Sequence, residues 1–228
     1  MRRDNRSAAR SLAGAVSRQV TDDAGLNALV TLEAASVTLI GVARQRAAEG
    51  DLVLDEAMVG FLRASQCQDE AHYHFLASIG ATPITTTFSL TEIGLDDAAS
   101  LFALLADLEA IAVGAHMASL QRFATEGDLR LTEIAYQMGA VDAQHLALAR
   151  QFLGALPAND RAFARWRFAD PAEAADALAD VGVLREDEEG IPFPGPVERI
   201  CAGVFGLVPE TTDEALGPLP AVGTPVSS

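Results

Sequence analysis

Four stretches of this chain repeat apolar residues at helical spacing, and each interrupts its own apolar stripe with an acidic residue. No other feature constrains the fold as tightly. A carboxylate on a buried helical face must meet a partner from another element. In the first stretch Leu26, Val30, Val37, Ile40 and Ala47 share a face, and Glu33 lies three on from Val30 and four before Val37. In the second, Met58, Leu62, Ser65 and Leu76 form the stripe, and Asp69 and His72 continue it. The third runs Phe102, Leu105, Ala112, His116 with Glu109 in series. The fourth aligns Leu131, Ala135, Met138, Ala149 and Phe152, with Asp142 and His145 on the same face.

The punctuation between these stretches sets their order in space. Thr21 or Asp22 is placed to cap the first helix and Gly50 to end it. Arg44 interrupts the stripe near its end, where a long side chain can reach water. The second helix is expected from about residue 54 to 79, and so short a connection makes the two antiparallel neighbours. "ATPITTTFSLTEIGLDD" then lacks helical period and is long for a loop, which predicts a crossover. A third helix follows over about 96–125, and "EGD" turns the chain into a fourth over about 129–154. These spacings predict an all-α fold: a four-helix bundle with one long crossover between helices 2 and 3.

The bundle is expected to occupy residues 21–155. Residues 1–20 read as a flexible polar N-terminus, 156–208 as a helical C-terminal extension, and 209–228 as a disordered tail. Within the extension, Asp170 followed by Pro171 starts one short helix, and "GPVERICAGVFGLV" is a candidate for another.

Each hairpin therefore carries one acidic residue on its first helix and an Asp-x-x-His on its second: Glu33 with Asp69 and His72, then Glu109 with Asp142 and His145. Residues three apart on a helix share a face, so each Asp-x-x-His aims an oxygen and an imidazole at one point. Four carboxylates buried together demand compensation, and two divalent cations balance their charge. Mixed oxygen and imidazole donors suit iron or manganese, and no ligating cysteine points to structural zinc. Glu70 lies about 100° around the helix from Asp69, and His116 is two turns beyond Glu109. Both are expected as outer positions, not direct ligands. His74 is expected at a surface or interface.

This arrangement resembles the ferritin-like superfamily of dinuclear-metal carboxylate bundles, in which two helices each give a Glu and two give Glu-x-x-His. The segment "HYHFLASIGATPITTTFSL" also resembles bacterial ferritin-like domain proteins related to desiccation-associated proteins of plants. The resemblance covers about residues 22–155. It implies Glu33 and Glu109 as terminal ligands, Asp69 and Asp142 at the bridging positions, and His72 and His145 as the imidazole ligands. It further implies two metal ions, iron first and manganese second, and reaction with dioxygen or peroxide in iron handling or oxidative-stress defence. One departure is clear: both Glu-x-x-His motifs read Asp-x-x-His here. The alternative is a non-catalytic bundle that binds metal or a partner.

A formal net charge of −16 repels phosphate backbones and argues against nucleic-acid binding. All 16 basic residues are arginine, so their abundance carries no functional weight. Cys67 and Cys201 are too few and too distant for a disulfide framework and are expected to be reduced and buried. The first twenty residues lack the apolar core of a secretory signal, and no run approaches 18 uninterrupted apolar residues. The expectation is a cytoplasmic protein with no membrane partner, able to form a homo-oligomer.

Overall fold

The structure is a computed structural model describing residues 23–90, 95–184, 190–195, 201 and 203–210. Its regular structure is almost wholly helical: α1 (Ala24–Glu49), α2 (Glu56–Ser78), α3 (Ala98–Glu126), α4 (Leu129–Phe152) and the short α5 (Glu173–Asp180). Two-residue strands β1 (Thr87–Phe88) and β2 (Ile191–Pro192) pair antiparallel. Helix limits fall within two residues of those expected, because capping residues stand where the period begins. Asp23, not Thr21 or Asp22, caps α1, its Oδ1 accepting from the N–H groups of Gly25 and Leu26. Asp55, Asp97 and Asp128 do the same for α2, α3 and α4. Gly50 and Gly127 close α1 and α3 with φ near +86° and +80°, a conformation glycine adopts without a Cβ clash.

α1 packs along α2 and α3 along α4, while α1 also meets α3 and α2 meets α4. Only Gly127 and Asp128 separate α3 from α4, so that pair is antiparallel. The expectation of a one-sided stripe on α1 needs correction. From Ala28 to Ile40 every residue is buried, because α5 covers the face that α2 and α3 leave open. α1 and α3 are in fact apolar and long enough to cross a membrane by length and composition, yet most of each apolar window is buried inside the protein. An all-round apolar helix in a globular protein is a core helix.

The long connection after α2 is tied down, not free. Thr82 N–H donates to Asn27 Oδ1 and Ile84 N–H to Thr31 Oγ1, both 2.8 Å, fixing it to α1. Phe88, Leu90 and Leu95 are buried. The connection was expected to hold no strand, but β1 pairs with β2 from the C-terminal extension, Thr87 facing Pro192 and Phe88 facing Ile191.

The extension is mostly irregular. Asp170 Oδ1 accepts from Ala172 N–H, and Glu173 Oε1 accepts from Asp170 N–H, a reciprocal cap that starts α5. The second helix expected over "GPVERICAGVFGLV" does not form in its described part: residues 203–208 are non-helical, and 196–200 and 202 lie outside the described residues. The flexible N-terminus (1–20) and all but residues 209 and 210 of the expected tail also lie outside them.

The cysteines overturn a further expectation. Cys67 and Cys201 form a disulfide across 134 residues of sequence. The reading of reduced thiols rested on their number and separation. Neither reveals that residues within 205–209 line a pocket against α2.

Candidate metal centre

Every carboxylate singled out by the helical period is buried: Glu33, Asp69, Glu109 and Asp142 are each at most 2% exposed. His145 is also buried, and His72 keeps a side-chain exposure of 11%. These side chains converge. His145 Nδ1 lies 3.2 Å from Asp69 Oδ1 and 3.5 Å from Glu109 Oε1. His72 Nδ1 lies 3.4 Å from Glu33 Oε1 and 3.5 Å from Asp142 Oδ1. The pairing is crossed: the histidine of each hairpin faces the aspartate of the other.

His116 belongs to the same cluster, contrary to its expected outer position. Its Nε2 stands 3.2 Å from Asp142 Oδ2 and 3.6 Å from Glu33 Oε1. A rise of roughly 10 Å separates it from Glu109 along α3, as expected. The cluster, however, extends along the helix axis. Stepping forward seven residues on α3, from Glu109 to His116, corresponds on antiparallel α4 to stepping back as many, from beside His145 to Gly139, one turn from Asp142. That correspondence was readable in the sequence. Gly139 makes the approach possible, since a Cβ there would stand 2.9 Å from the His116 Cβ.

Glu70 is buried on α2 but turns to the other side, its Oε1 3.5 Å from His74 Nε2. It joins none of the donor groups described next. His74 is half-exposed, as expected of a surface position.

The donors form three overlapping triplets: Glu33, His116 and Asp142; Glu33, Asp69 and His72; Asp69, Glu109 and His145. Within each, one ligand atom per residue lies within 4.8 Å of the others. That is close to the ~4.2 Å between opposite donors when each ligand bond is about 2.1 Å. Glu33 and Asp69 each fall in two triplets, so these two carboxylates link the three groups into one chain of donors. Burial leaves Glu33 Oε1, both oxygens of Asp69 and Asp142, Glu109 Oε1 and the Nδ1 atoms of His72 and His145 without a hydrogen-bond partner. Such orphaned atoms are costly unless a cation or proton satisfies them.

The electrostatics follow from this crowding. Burial pushes the Asp69 carboxyl up to about 6; His145 opposes the shift, and Glu33 and Asp142 add to it. Burial likewise lifts Glu109 well above the usual carboxylate range, against the pull of His145. Asp142 goes the other way: burial opposes its ionisation, but His116, His72 and His145 hold it below its ordinary value. Burial would lower the histidines, yet neighbouring carboxylates prevail. Asp142 and Glu33 push His116 up to about 9, Asp69 and Glu109 raise His145 strongly, and Glu33 leads in raising His72. Protons therefore occupy the positions that cations would take.

One outer contact fixes an imidazole. His145 Nε2 is 2.8 Å from Gln68 Oε1, an atom that can only accept. Nε2 therefore keeps its proton, and Nδ1 is the nitrogen free to exchange a proton for a metal. The Phe61 ring stands edge-on to His145 at 6.1 Å and keeps that end apolar.

Compared with known proteins, the chain matches no family model, no curated protein and no solved structure.

Proposed function

We propose that this protein is a ferritin-like four-helix bundle, α1–α4 with the 81–95 connection as its crossover, holding two divalent metal ions. One observation carries the reading: four carboxylates and three imidazoles meet in an apolar interior with their donor atoms lacking partners. Four negative charges in that setting call for four positive ones. Oxygen and imidazole donors without thiolate favour iron, with manganese next.

In this reading Glu33, His72, His116 and Asp142 would hold one ion, and Asp69, Glu109 and His145 the other. His116 is the donor that the Glu-and-Glu-x-x-His pattern does not supply. Gln68 orients His145, and the surrounding leucines and alanines exclude bulk water. Iron or manganese held there supplies redox chemistry toward dioxygen or peroxide. Ferrous iron is then the substrate, in iron handling or oxidative-stress defence.

The test is aerobic oxidation of added Fe(II), with metal analysis of protein purified without chelator. Wild-type protein should oxidise Fe(II) faster than buffer, and Glu109→Ala should abolish the difference. Metal retained at the buffer rate would leave a non-catalytic metal-binding bundle, and loss of both would sink the proposal.

A further inference from the structure

Between α2 and α4, on the side where His72 reaches the surface of the cluster, lies a cavity of about 330 Å³. Ala71 and His72 of α2 form one wall, and Met138 and Val141 of α4 the other. Leu207 and Pro209 roof it. The roof is fastened at both ends to different helices. The Cys67–Cys201 disulfide ties its start to α2. At its end, Gln137 of α4 donates through Nε2 to Glu210 O and accepts from Glu210 N–H at 3.1 Å. A segment without helical period is thus pinned over the seam between two helices, directly above His72.

The lining is apolar except at a few points, which is the composition of a small-molecule site. Gln137 is spent on the roof. Gln68, by contrast, uses its Oε1 for His145, while its NH₂ donates to no described protein group, and it lines the cavity. An apolar cavity of about 150 Å³ takes up benzene. Twice that volume fits a bicyclic ring or a chain of comparable bulk.

We infer that this cavity binds a small organic molecule with an apolar body and one oxygen-bearing head, the head accepting from Gln68 beside His72. The molecule would then lie against two of the three histidines of the cluster, His72 by lining and His145 through Gln68. This places the bound molecule next to donors of the metal-centre reading, and the inference rests on that reading only for what the molecule faces.

The probe is 2-naphthol, titrated by its fluorescence into full-length metal-free protein and into protein loaded with Mn(II), with proton line broadening recorded in the second case. The expected result is saturable sub-millimolar binding, one molecule per chain, with Mn(II) broadening the naphthol resonances. Ala71→Trp should weaken binding at least about tenfold by filling the cavity, Cys201→Ser should weaken it by freeing the roof, and Gln68→Leu by about two- to tenfold through loss of one hydrogen bond. Cys201 lies outside the helices, so that variant keeps the test sound should Ala71→Trp fail to fold. Absence of saturable binding, or binding that Ala71→Trp and Cys201→Ser leave unchanged, overturns the inference. Binding that responds to these variants in protein that takes up no Mn(II) supports the cavity and counts against the metal centre instead.

Discussion

Gly139 and His116 mark a close approach of α4 to α3: a Cβ on residue 139 would stand 2.9 Å from the Cβ of His116. The histidine carbon cannot swing aside, because it is rooted in its own helix. The absence of a side chain at 139 is what lets His116 reach Asp142 and Glu33.

Gly139→Ala should therefore force the helices apart. Overpacking of this kind costs about 1–3 kcal/mol, against roughly 1 kcal/mol gained by replacing glycine inside a helix. Thermal melts should show a small net loss. Metal affinity should fall by more than that loss implies, since His116 would be moved off its partners. A variant with unchanged melting temperature and unchanged Mn(II) affinity would show that the contact is not tight.

Metal removal should be visible as lost stability. A cation that binds only the folded chain stabilises it by about 2.7 kcal/mol at a hundredfold excess over its Kd. Chelator-treated protein should melt lower and recover on addition of Fe(II) or Mn(II). Glu33→Ala, which removes a donor common to two triplets, should gain clearly less from metal than wild type, the remainder coming from Asp69, Glu109 and His145.

Proton uptake sets the pH dependence of the metal-free form. Asp69 is held up at about 6 and His116 at about 9, so the folded chain binds more protons than the unfolded chain between about pH 4 and 6 and again between about 6.5 and 9. Stability should then decline as pH rises through both windows, by a few kcal/mol in order of magnitude. Metal must displace those protons, so its affinity should rise with pH over the same range. Denaturant unfolding at pH 5 and pH 9, with and without Mn(II), should show the metal-bound form losing far less. Equal slopes for the two forms would contradict the cluster as the origin.

At the far end of α1, Asp23 caps the helix and also pairs through both oxygens with Arg122 of α3. Asparagine keeps the cap and loses the charge. Asp23→Asn should cost up to about 1 kcal/mol and Asp23→Ala roughly 1 kcal/mol more. Burial raises the Asp23 carboxyl, but Arg122 and the capped N–H groups hold it below its ordinary value. Its contribution is thus present above about pH 4 and lost as pH falls through the lower folded value. The gap between wild type and Asp23→Asn should close in acid.

What the sequence revealed was what helical period can encode. Glu33, Asp69, Glu109 and Asp142 interrupt apolar stripes, and period alone places them inward. Asp55, Asp97 and Asp128 cap α2, α3 and α4 close to where the apolar period begins, so period alone came within two residues of those starts. His116 escapes a reading along α3 because its partners, Asp142 and Glu33, lie on other helices. The all-round burial of α1 depends on α5, more than a hundred residues away, which a stripe within α1 cannot report. The β1–β2 pair and the roof over His72 have no period, and their partners are set by tertiary contacts alone.

The bond between Cys67 and Cys201 makes a closed ring of half of α2, all of α3, α4 and α5, and everything between them. α1 lies outside that ring. A protease that nicks the chain once between the two cysteines leaves a single covalent molecule until it is reduced, whereas one cut between α1 and α2 severs Glu33 from the other donors outright. The short turn around Gly50, not the long connection after α2, is therefore where a single break separates the centre into parts.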